Sequence, residues 1–270
     1  MAALQKFLSS SATSQPAFLS PLLWRFFSSG NERCPNTLSY EEIQVSENPC
    51  KDTAFIFHGL LGSDRNWWSF SRRLLSSFQS RSNWRMVLVD LRNHGKSAEI
   101  EGFDPPHTMK SAALDVAIFL KSKSWSWPDV VICHSLGGNI ALAFAVSCAQ
   151  GDCGESATLP KQLWVLDSLP GEVNPSDVEV GNVLRTVQSI PVPIPLRSKE
   201  SYWPLLENPP QGLEIKVVRK RTVVGDKQGK GNVSYHILKE AGHWVHVDNP
   251  KGLIDIMGPI QHIYQSLELG

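Results

Sequence analysis

The sequence has no excess of charge of either sign. Lysine and arginine together number 26, and so do aspartate and glutamate, which makes the formal net charge zero. Proteins that bind nucleic acids or anionic membrane surfaces rely on a surplus of basic residues. With 41% hydrophobic and 19% charged residues, the composition is that of an ordinary globular protein. We therefore expect no nucleic-acid partner and no electrostatic attachment to membranes.

Paired cysteines and long apolar runs are also missing. The five cysteines are odd in number and none forms a C-x-x-C pair, so the sequence predicts neither a disulfide framework nor a zinc site. A reducing compartment fits this cysteine usage. The apolar stretch 18–24 is short, contains Pro21 and is followed by Arg25, which makes it a poor membrane span.

Acidic residues are absent from the first 31 positions. Residues 1–31 carry Lys6 and Arg25 and are rich in serine, alanine and leucine. This composition is typical of an organellar transit peptide, which we expect to be disordered. A secretory signal and a tail without a targeting role are the alternatives. The end of the segment, Trp24-Arg25-Phe26-Phe27-Ser28-Ser29, favours a mitochondrion, with a chloroplast as the second choice.

From about residue 37, short β-branched runs alternate with longer amphipathic stretches. Near-continuous apolar runs at 53–57, 85–90, 129–133, 161–167, 213–218 and 233–238 are typical of strands buried on both faces of a parallel sheet. Helical patterns occupy 109–121, 136–149 and 253–267. This alternation predicts an α/β domain over 37–270, with a mostly parallel central sheet flanked by helices on both faces. Residues 169–212 contain eight prolines and are interpreted as a short lid inserted over that sheet.

A serine occupies the junction between a predicted buried strand and a predicted buried helix. The junction reads Cys133-His134-Ser135-Leu136-Gly137-Gly138, close to the G-x-S-x-G pattern of a nucleophile elbow, with cysteine in place of the first glycine. Such an elbow holds its serine in a tight, strained turn, where small neighbours allow close backbone approach. A tightly packed turn without chemistry is the structural alternative.

Two further loops supply what a nucleophilic serine needs. The His58-Gly59 turn after an earlier strand could present the Leu60 N–H, which together with the Leu136 N–H would form an oxyanion hole. A plain glycine-rich turn is the alternative reading. His243 follows the last predicted strand, from where a loop histidine can reach Ser135 as general base. It is preferred over His246 because Gly242 precedes it.

With these motifs in order, the chain resembles the α/β-hydrolases, in particular the small acyl-esterase and thioesterase branch that includes mitochondrial abhydrolase-domain esterases. The segment 90–97, Asp-Leu-Arg-Asn-His-Gly-Lys-Ser, matches a structural loop of that family and is not a P-loop, since Asp90 replaces the first glycine. The resemblance implies a serine hydrolase that cleaves a small-molecule carboxylic ester or thioester through an acyl-enzyme, without cofactor or metal.

The acid of the expected triad has two candidates. Asp226 follows the penultimate strand, which is the usual position, but its loop is markedly basic and only 17 positions separate it from His243, which is short for the helix and strand normally between them. Asp167 ends the strand 161–167, a position that some relatives use, and is favoured here over its alternative role as a helix cap. The expected catalytic residues are therefore Ser135, His243 and Asp167, with Asp226 as the alternative acid, and the expected oxyanion donors are Leu60 and Leu136. The expected substrate-pocket residues are His58, Gly59, Leu61, His134 and Trp244. Of these, His58 and His134 are expected to orient their neighbours or to pack against them.

The lid segment 169–212 is shorter than the helical cap of the relatives. This suggests a shortened form of the protein with an open pocket, in which activity would be weak or absent, because a lid excludes water and completes the site. A ligand-binding protein that keeps the hydrolase fold is therefore the alternative function. Another reaction on the same fold, such as acyl transfer, is a third. Sequencing of transcripts tests the idea, since a single full-length species would contradict it.

Overall fold

The computed structural model describes residues 37–46, 49–123, 125–168, 202–220, 232–258 and 260. The segment 1–31, residues 169–201 of the expected lid, the alternative acid Asp226 and the end of the predicted C-terminal helix lie outside these residues. The fold and the candidate site can be followed through the described ranges.

Seven strands form one sheet in the described part of the chain. Their order in the sheet is β1-β3-β2-β4-β5-β6-β7; β1 pairs antiparallel with β3, and every other neighbouring pair is parallel. This mostly parallel sheet confirms the predicted α/β class. The strands are β1 (Tyr40–Gln44), β2 (Asp52–Phe57), β3 (Trp84–Val89), β4 (Val130–His134), β5 (Gln162–Leu166), β6 (Glu214–Arg219) and β7 (Val233–Ile237).

Strand β1 had no counterpart in the sequence prediction. Only Ile43 of its five residues is buried, and the remaining side chains are half-exposed. An edge strand of this kind has no continuous apolar run, and five residues are too few for a clear alternation. Its pairing with β3, which places Tyr40 opposite Val89, comes from the tertiary structure alone.

Helices cover both faces of the sheet. Phe55 and Phe57 of β2 pack with α2 and α3 on one face, while Ile56 packs with α1 and α6 on the other. This alternation is why the strands are apolar throughout, and burial of each large side chain stabilises the fold by roughly 1.5–3 kcal/mol. The helices are α1 (Asp64–Ser77), α2 (Met109–Lys123), α3 (Leu136–Ala149), α4 (Trp203–Glu207), α5 (Val245–Asp248) and α6 (Pro250–Met257), with 3-10 turns at Arg81–Asn83 and Gly95–Glu99. Within the described ranges, no helix is long and apolar enough to cross a membrane.

The loop after β3 is held by a buried carboxylate. Asp90 Oδ1 accepts the N–H of Asp64 at 2.7 Å, and Oδ2 accepts the N–H of Lys96, also at 2.7 Å. Gly95 has a φ of 49°, and a Cβ there would lie 2.2 Å from Asp90 Oδ2. The Ser97 hydroxyl donates to the Asp90 carbonyl at 2.7 Å. The Asp90 carboxylate and the Ser97 hydroxyl thus make hydrogen bonds within the protein, which fits a structural role for the loop 90–97.

Candidate active site

Ser135 adopts a strained backbone conformation between β4 and α3. Its φ of 51° and ψ of −119° lie in a region that non-glycine residues rarely occupy, at a cost of about 1–3 kcal/mol. Hydrogen bonds hold it there: the Ser135 N–H donates to the Leu166 carbonyl at 3.1 Å, and the Gly138 N–H donates to the Ser135 carbonyl at 2.9 Å. This is the geometry expected of a nucleophile elbow at the carboxyl end of a strand.

The start of α3 lies directly against the backbone that follows β2. A Cβ on Gly137 would lie 2.4 Å from the His58 carbonyl oxygen and 2.7 Å from that of Phe57. Those atoms belong to rigid main chain at the end of a central strand, so they have little freedom to move away. Glycine at position 137 therefore allows the elbow and the His58-Gly59 turn to come together.

Gly137→Ala should lower the free energy of unfolding by roughly 2 kcal/mol or more, because the added methyl group overpacks two backbone segments. Gly258→Ala is the matched control, since a Cβ there meets nothing within 4 Å and its φ of −46° suits alanine. Chemical denaturation of both variants beside the wild type measures the difference. Equal stability of the two variants would contradict the close approach.

The backbone N–H groups of Leu60 and Leu136 lie next to the elbow, and within the described residues neither donates a hydrogen bond. The Leu136 N–H belongs to the first turn of α3, where N–H groups have no intrahelical partner and the helix dipole favours negative charge. The Leu60 N–H follows Gly59, whose Cβ, if present, would lie 3.2 Å from Ser135 Cβ. Both predicted oxyanion donors thus lie in segments that border Ser135.

His243 and Asp167 meet although 76 positions separate them. The distance between His243 Nδ1 and Asp167 Oδ2 is 2.7 Å. Asp167 follows β5 with a φ of 43°, and its N–H donates to the Val218 carbonyl at 2.8 Å. When Nδ1–H donates to the carboxylate, Nε2 of the neutral ring is left as the proton acceptor. The Asp167 side chain is 12% exposed and that of His243 is 43% exposed, so the ring can be reached from solvent.

The Ser135 hydroxyl makes no hydrogen bond within the described residues. Catalytic hydrogen bonds are often long in proteins without substrate and shorten when the substrate binds. Ser135 nevertheless follows β4, and Asp167 follows β5, the neighbouring parallel strand. The two residues therefore lie at the same edge of the sheet, which is where the loop with His243 also arrives.

Of the two candidate histidines, only His243 combines exposure with an acidic partner. His246 is 3% exposed, and its ring stacks on Trp67 with centroids 3.8 Å apart. His246 thus packs between the loop and α1. His243 therefore remains the candidate general base.

The expected pocket residues divide into buried and exposed groups. Leu61 and Trp244 are 50% and 37% exposed. His58 is buried: its Nδ1–H donates to the Gly59 carbonyl at 2.8 Å, and its Nε2 accepts the Leu91 N–H at 3.0 Å. Both ring nitrogens are thus engaged by the backbone, which gives His58 an orienting role. His134 is also buried, and its Nε2–H donates to the His243 carbonyl at 2.7 Å.

One charged neighbour of Asp167 was not identified from the sequence. Lys220 Nζ lies 3.9 Å from Asp167 Oδ2. Lys220 follows β6, the strand next to β5. Its place directly after a predicted strand, at the carboxyl edge of the sheet, is the sequence signal from which it could have been found. Within the described residues, no cluster of three or more histidine, cysteine or acidic side chains is arranged to hold a metal ion.

The buried histidines should make the fold sensitive to acid. Burial, followed by the influence of His94, lowers the pKa of His58 to about 3, and burial lowers that of His246 to about 4. Burial also lowers the pKa of His134 well below its ordinary value of 6.5. The unfolded chain takes up protons at these positions near pH 6.5, whereas the folded protein does not, so stability falls as the pH decreases.

The free energy of unfolding should therefore fall between pH 7.5 and 5.5, by up to about 1.4 kcal/mol per pH unit for each of these histidines. Urea denaturation at several pH values measures the slope. His246→Phe keeps an aromatic ring against Trp67 but removes one titrating group. The slope should therefore fall by up to about 1.4 kcal/mol per pH unit. An unchanged slope in that variant would contradict the neutral state of His246.

Comparison with known proteins gives a match to one family and to several of its relatives. A model of the alpha/beta hydrolase family matches residues 54–214. An abhydrolase domain-containing protein of Schizosaccharomyces pombe is 32% identical over 114 residues, which are 42% of this chain and 38% of that protein. An sn-1-specific diacylglycerol lipase of Danio rerio is 31% identical over 114 residues, 42% of this chain and 32% of the lipase. The alignments thus span about a third of these relatives.

Solved structures share the fold at low identity. An esterase from a marine microorganism is 21% identical with a TM-score of 0.57, covering 82% of this chain and 98% of the esterase. An esterase from Thermogutta terrifontis is 14% identical with a TM-score of 0.60, covering 84% and 94%. An N-acyl homoserine lactonase is 18% identical with a TM-score of 0.59, also covering 84% and 94%.

Proposed function

This chain belongs to the alpha/beta hydrolase family, and we propose that it is a serine hydrolase that cleaves a carboxylic ester or thioester through an acyl-enzyme intermediate. Ser135 Oγ attacks the acyl carbon while His243 Nε2 takes its proton, and the protonated histidine then gives that proton to the leaving group. Water, activated by the same nitrogen, releases the acid and restores the serine. No metal or cofactor takes part in this scheme.

The observation that carries the proposal is the combination of a strained Ser135 and a paired His243 at one edge of the sheet. The φ of 51° at Ser135 costs free energy that a simple strand–helix turn would avoid. The 2.7 Å contact between His243 Nδ1 and Asp167 Oδ2 gives the ring the tautomer that a general base needs. Strain and pairing together are expected of a catalytic site and have no evident role in packing.

Stabilisation of negative charge is the other requirement of acyl transfer. In the tetrahedral intermediate the carbonyl oxygen becomes an oxyanion, which backbone N–H groups in a preorganised site bind more strongly than water does. We assign this role to the Leu60 and Leu136 N–H groups. Their lack of an acceptor among the described residues and their position beside Ser135 support the assignment.

Two features favour the alternative function, a ligand-binding protein without activity. One is the uncertain identity of the triad acid, and the contact between Asp167 and His243 weakens this reason. The other is the short lid, most of which lies outside the described residues. The names of the relatives, which include a diacylglycerol lipase and esterases, favour small-molecule esters as the first substrates to assay, including those with long acyl chains.

The proposal is tested with the purified chain and a series of p-nitrophenyl esters of increasing acyl length, together with an acyl thioester. Hydrolysis with an initial burst of p-nitrophenol would support an acyl-enzyme. A fluorophosphonate probe should add to the peptide that contains Ser135, which mass spectrometry of the digested protein can identify. A folded protein that neither hydrolyses these substrates nor reacts with the probe would overturn the proposal in favour of the ligand-binding alternative.

We further propose that residues 1–31 direct the protein to mitochondria, with chloroplasts as the alternative. The absence of acidic residues in this segment supports import. Fusion of residues 1–31 to a fluorescent protein, with Lys6→Glu and Arg25→Glu in a control, tests it. Diffuse fluorescence of the unmodified fusion would contradict the proposal.

A further inference from the structure

We propose that His134 is a positioning residue that holds His243 through the main-chain carbonyl of His243 and thereby couples the nucleophile elbow to the histidine loop, residues 239–249. The inference rests on the proposed function, because it assigns to His134 the placement of the general base. It gives a role in catalysis to a buried side chain that itself touches neither substrate nor the reacting atoms.

The hydrogen bond on which the inference rests is short, and its donor side chain is buried. The distance between His134 Nε2 and the His243 carbonyl oxygen is 2.7 Å, and the His134 side chain is completely buried. A carbonyl can only accept, so the proton lies on Nε2 and Nδ1 is the unprotonated nitrogen. Burial, followed by the influence of His243 and His246, lowers the pKa of His134, so the ring keeps this single neutral form.

The ring of His134 is also fixed by its surroundings. A Cβ on Gly59 would lie 2.8 Å from His134 Nδ1, so the His58-Gly59 turn, which leads to the proposed oxyanion donor Leu60 and is named the oxyanion turn, covers one side of the ring. The rings of His243 and Trp244 lie 4.6 and 5.3 Å away between centroids, and that of Trp67 lies 6.1 Å away. His134 therefore contacts the oxyanion turn and the histidine loop, and it is bonded to Ser135 through the chain.

The histidine loop is anchored in the core by Val245 and His246, which follow His243, whereas the main-chain hydrogen bonds near His243 are local. The Gly242 N–H donates to Asp248 Oδ2 at 2.8 Å, and the Val247 N–H donates to the Trp244 carbonyl at 2.8 Å. These contacts do not reach the His243 main chain, whose one hydrogen bond to the sheet among the described residues comes from His134. Asp167 holds the His243 ring, and His134 holds its main chain, so these two contacts add to the anchor at Val245 and His246 in placing Nε2.

The consequence is a dependence of catalysis on His134. Held only by its carboxylate partner, the His243 side chain could still shift with its loop, and a misplacement of about 1 Å can lower a catalysed rate by roughly 100-fold. Such a shift changes the approach of Nε2 to Ser135 more than it changes substrate binding. The loss should therefore appear in kcat and leave KM nearly unchanged.

Three substitutions at His134 separate the hydrogen bond from the packing. His134→Phe fills the space without a donor, whereas His134→Gln places an amide N–H near the position of Nε2. His134→Asn carries the same amide on a side chain one methylene shorter, which falls short of the carbonyl. We expect kcat to fall by roughly 10- to 100-fold in the Phe and Asn variants, with KM within about twofold, and the Gln variant to recover most of the loss.

The matched control is His94→Phe. His94 is buried and its Nδ1–H donates to a main-chain carbonyl, that of Arg92, at 2.9 Å, but this bond does not involve the histidine loop. The substitution should lower stability in urea while kcat stays within about threefold of the wild type. Equal losses of kcat in His94→Phe and His134→Phe would overturn the proposal, as would a wild-type kcat in His134→Phe or a Gln variant no better than Phe.

A second measurement does not depend on activity. Hydrogen–deuterium exchange of peptides covering 239–249 should be faster in His134→Phe than in the wild type and near the wild-type rate in His134→Gln. Unchanged exchange in His134→Phe would overturn the proposed support of the loop. If the wild type proves inactive towards esters, the proposed function fails, and the exchange experiment still decides whether His134 holds His243.

Discussion

Replacing Ser135 by alanine should abolish ester hydrolysis, with a fall in kcat of roughly 1,000-fold or more. Only the hydroxyl group is lost, and without its oxygen the bond between the enzyme and the acyl group cannot form. Hydrolysis of a p-nitrophenyl ester and reaction with a fluorophosphonate probe should disappear together. The remaining parts of the site, the Leu60 and Leu136 N–H groups and His243, would still bind the substrate, so substrate affinity should change little.

The free energy of unfolding provides a second test of the role of Ser135. Because Ser135 has a positive φ, Ser135→Gly should remove activity and at the same time raise the free energy of unfolding by about 1 kcal/mol, since glycine adopts this conformation without a steric penalty. Ser147→Ala, in a buried position of α3, the helix that begins directly after Ser135, is the control and should leave hydrolysis unchanged. Full activity of Ser135→Ala would exclude the proposed mechanism.

Asp167→Asn should lower kcat by roughly 1,000- to 10,000-fold while the fold is retained. An asparagine amide can turn its N–H₂ towards His243 Nδ1, which stabilises the tautomer with the proton on Nε2. That tautomer has no lone pair for the serine proton, and the charge of the imidazolium would lack its partner. The contact of 2.7 Å between Nδ1 and Oδ2 makes this the largest effect expected outside Ser135 and His243.

Asp226→Asn serves as the comparison, because Asp226 is the rival acid of the sequence analysis. We expect it to retain wild-type kcat. Steady-state kinetics of both variants, together with circular dichroism to verify folding, distinguish the two acids. A large loss in Asp226→Asn with full activity in Asp167→Asn would reverse the assignment.

Much of the fold was predictable because its signals are local. The runs at 53–57 and 233–238 became strands that differ from the prediction by one residue at one end, and the run at 129–133 became a strand shifted by one residue. The bounds of the helix 136–149 agree with the structure. Strands buried on both faces must be apolar along their whole length, so the sequence displays them clearly. The predicted class, a mostly parallel sheet with helices on both faces, is confirmed.

Elements without such a local signal were missed. Helix α1 was not predicted, although Ser63 and Asn66 form a capping box at its start and Trp67, Phe70 and Leu74 share its buried face. Its interior also contains polar residues that are consistent with a loop. Which of its faces is buried is known only from its packing against the sheet. Strand β1 is similar, because a half-exposed edge strand exists through its partner β3.

The sequence by itself determined the parallel α/β architecture and the strand–serine–helix junction at Ser135, because both depend on residue types at short spacing. Only the tertiary structure brought Asp167 to His243 and the His243 carbonyl to His134. The partners in these contacts are 76 and 109 positions apart, and their meeting depends on which strands are neighbours in the sheet and on how one loop crosses its edge. The sequence identifies Asp167 as a charged residue. Its partner is determined by the packing of strands β4, β5 and β6, and no local sequence pattern encodes that packing.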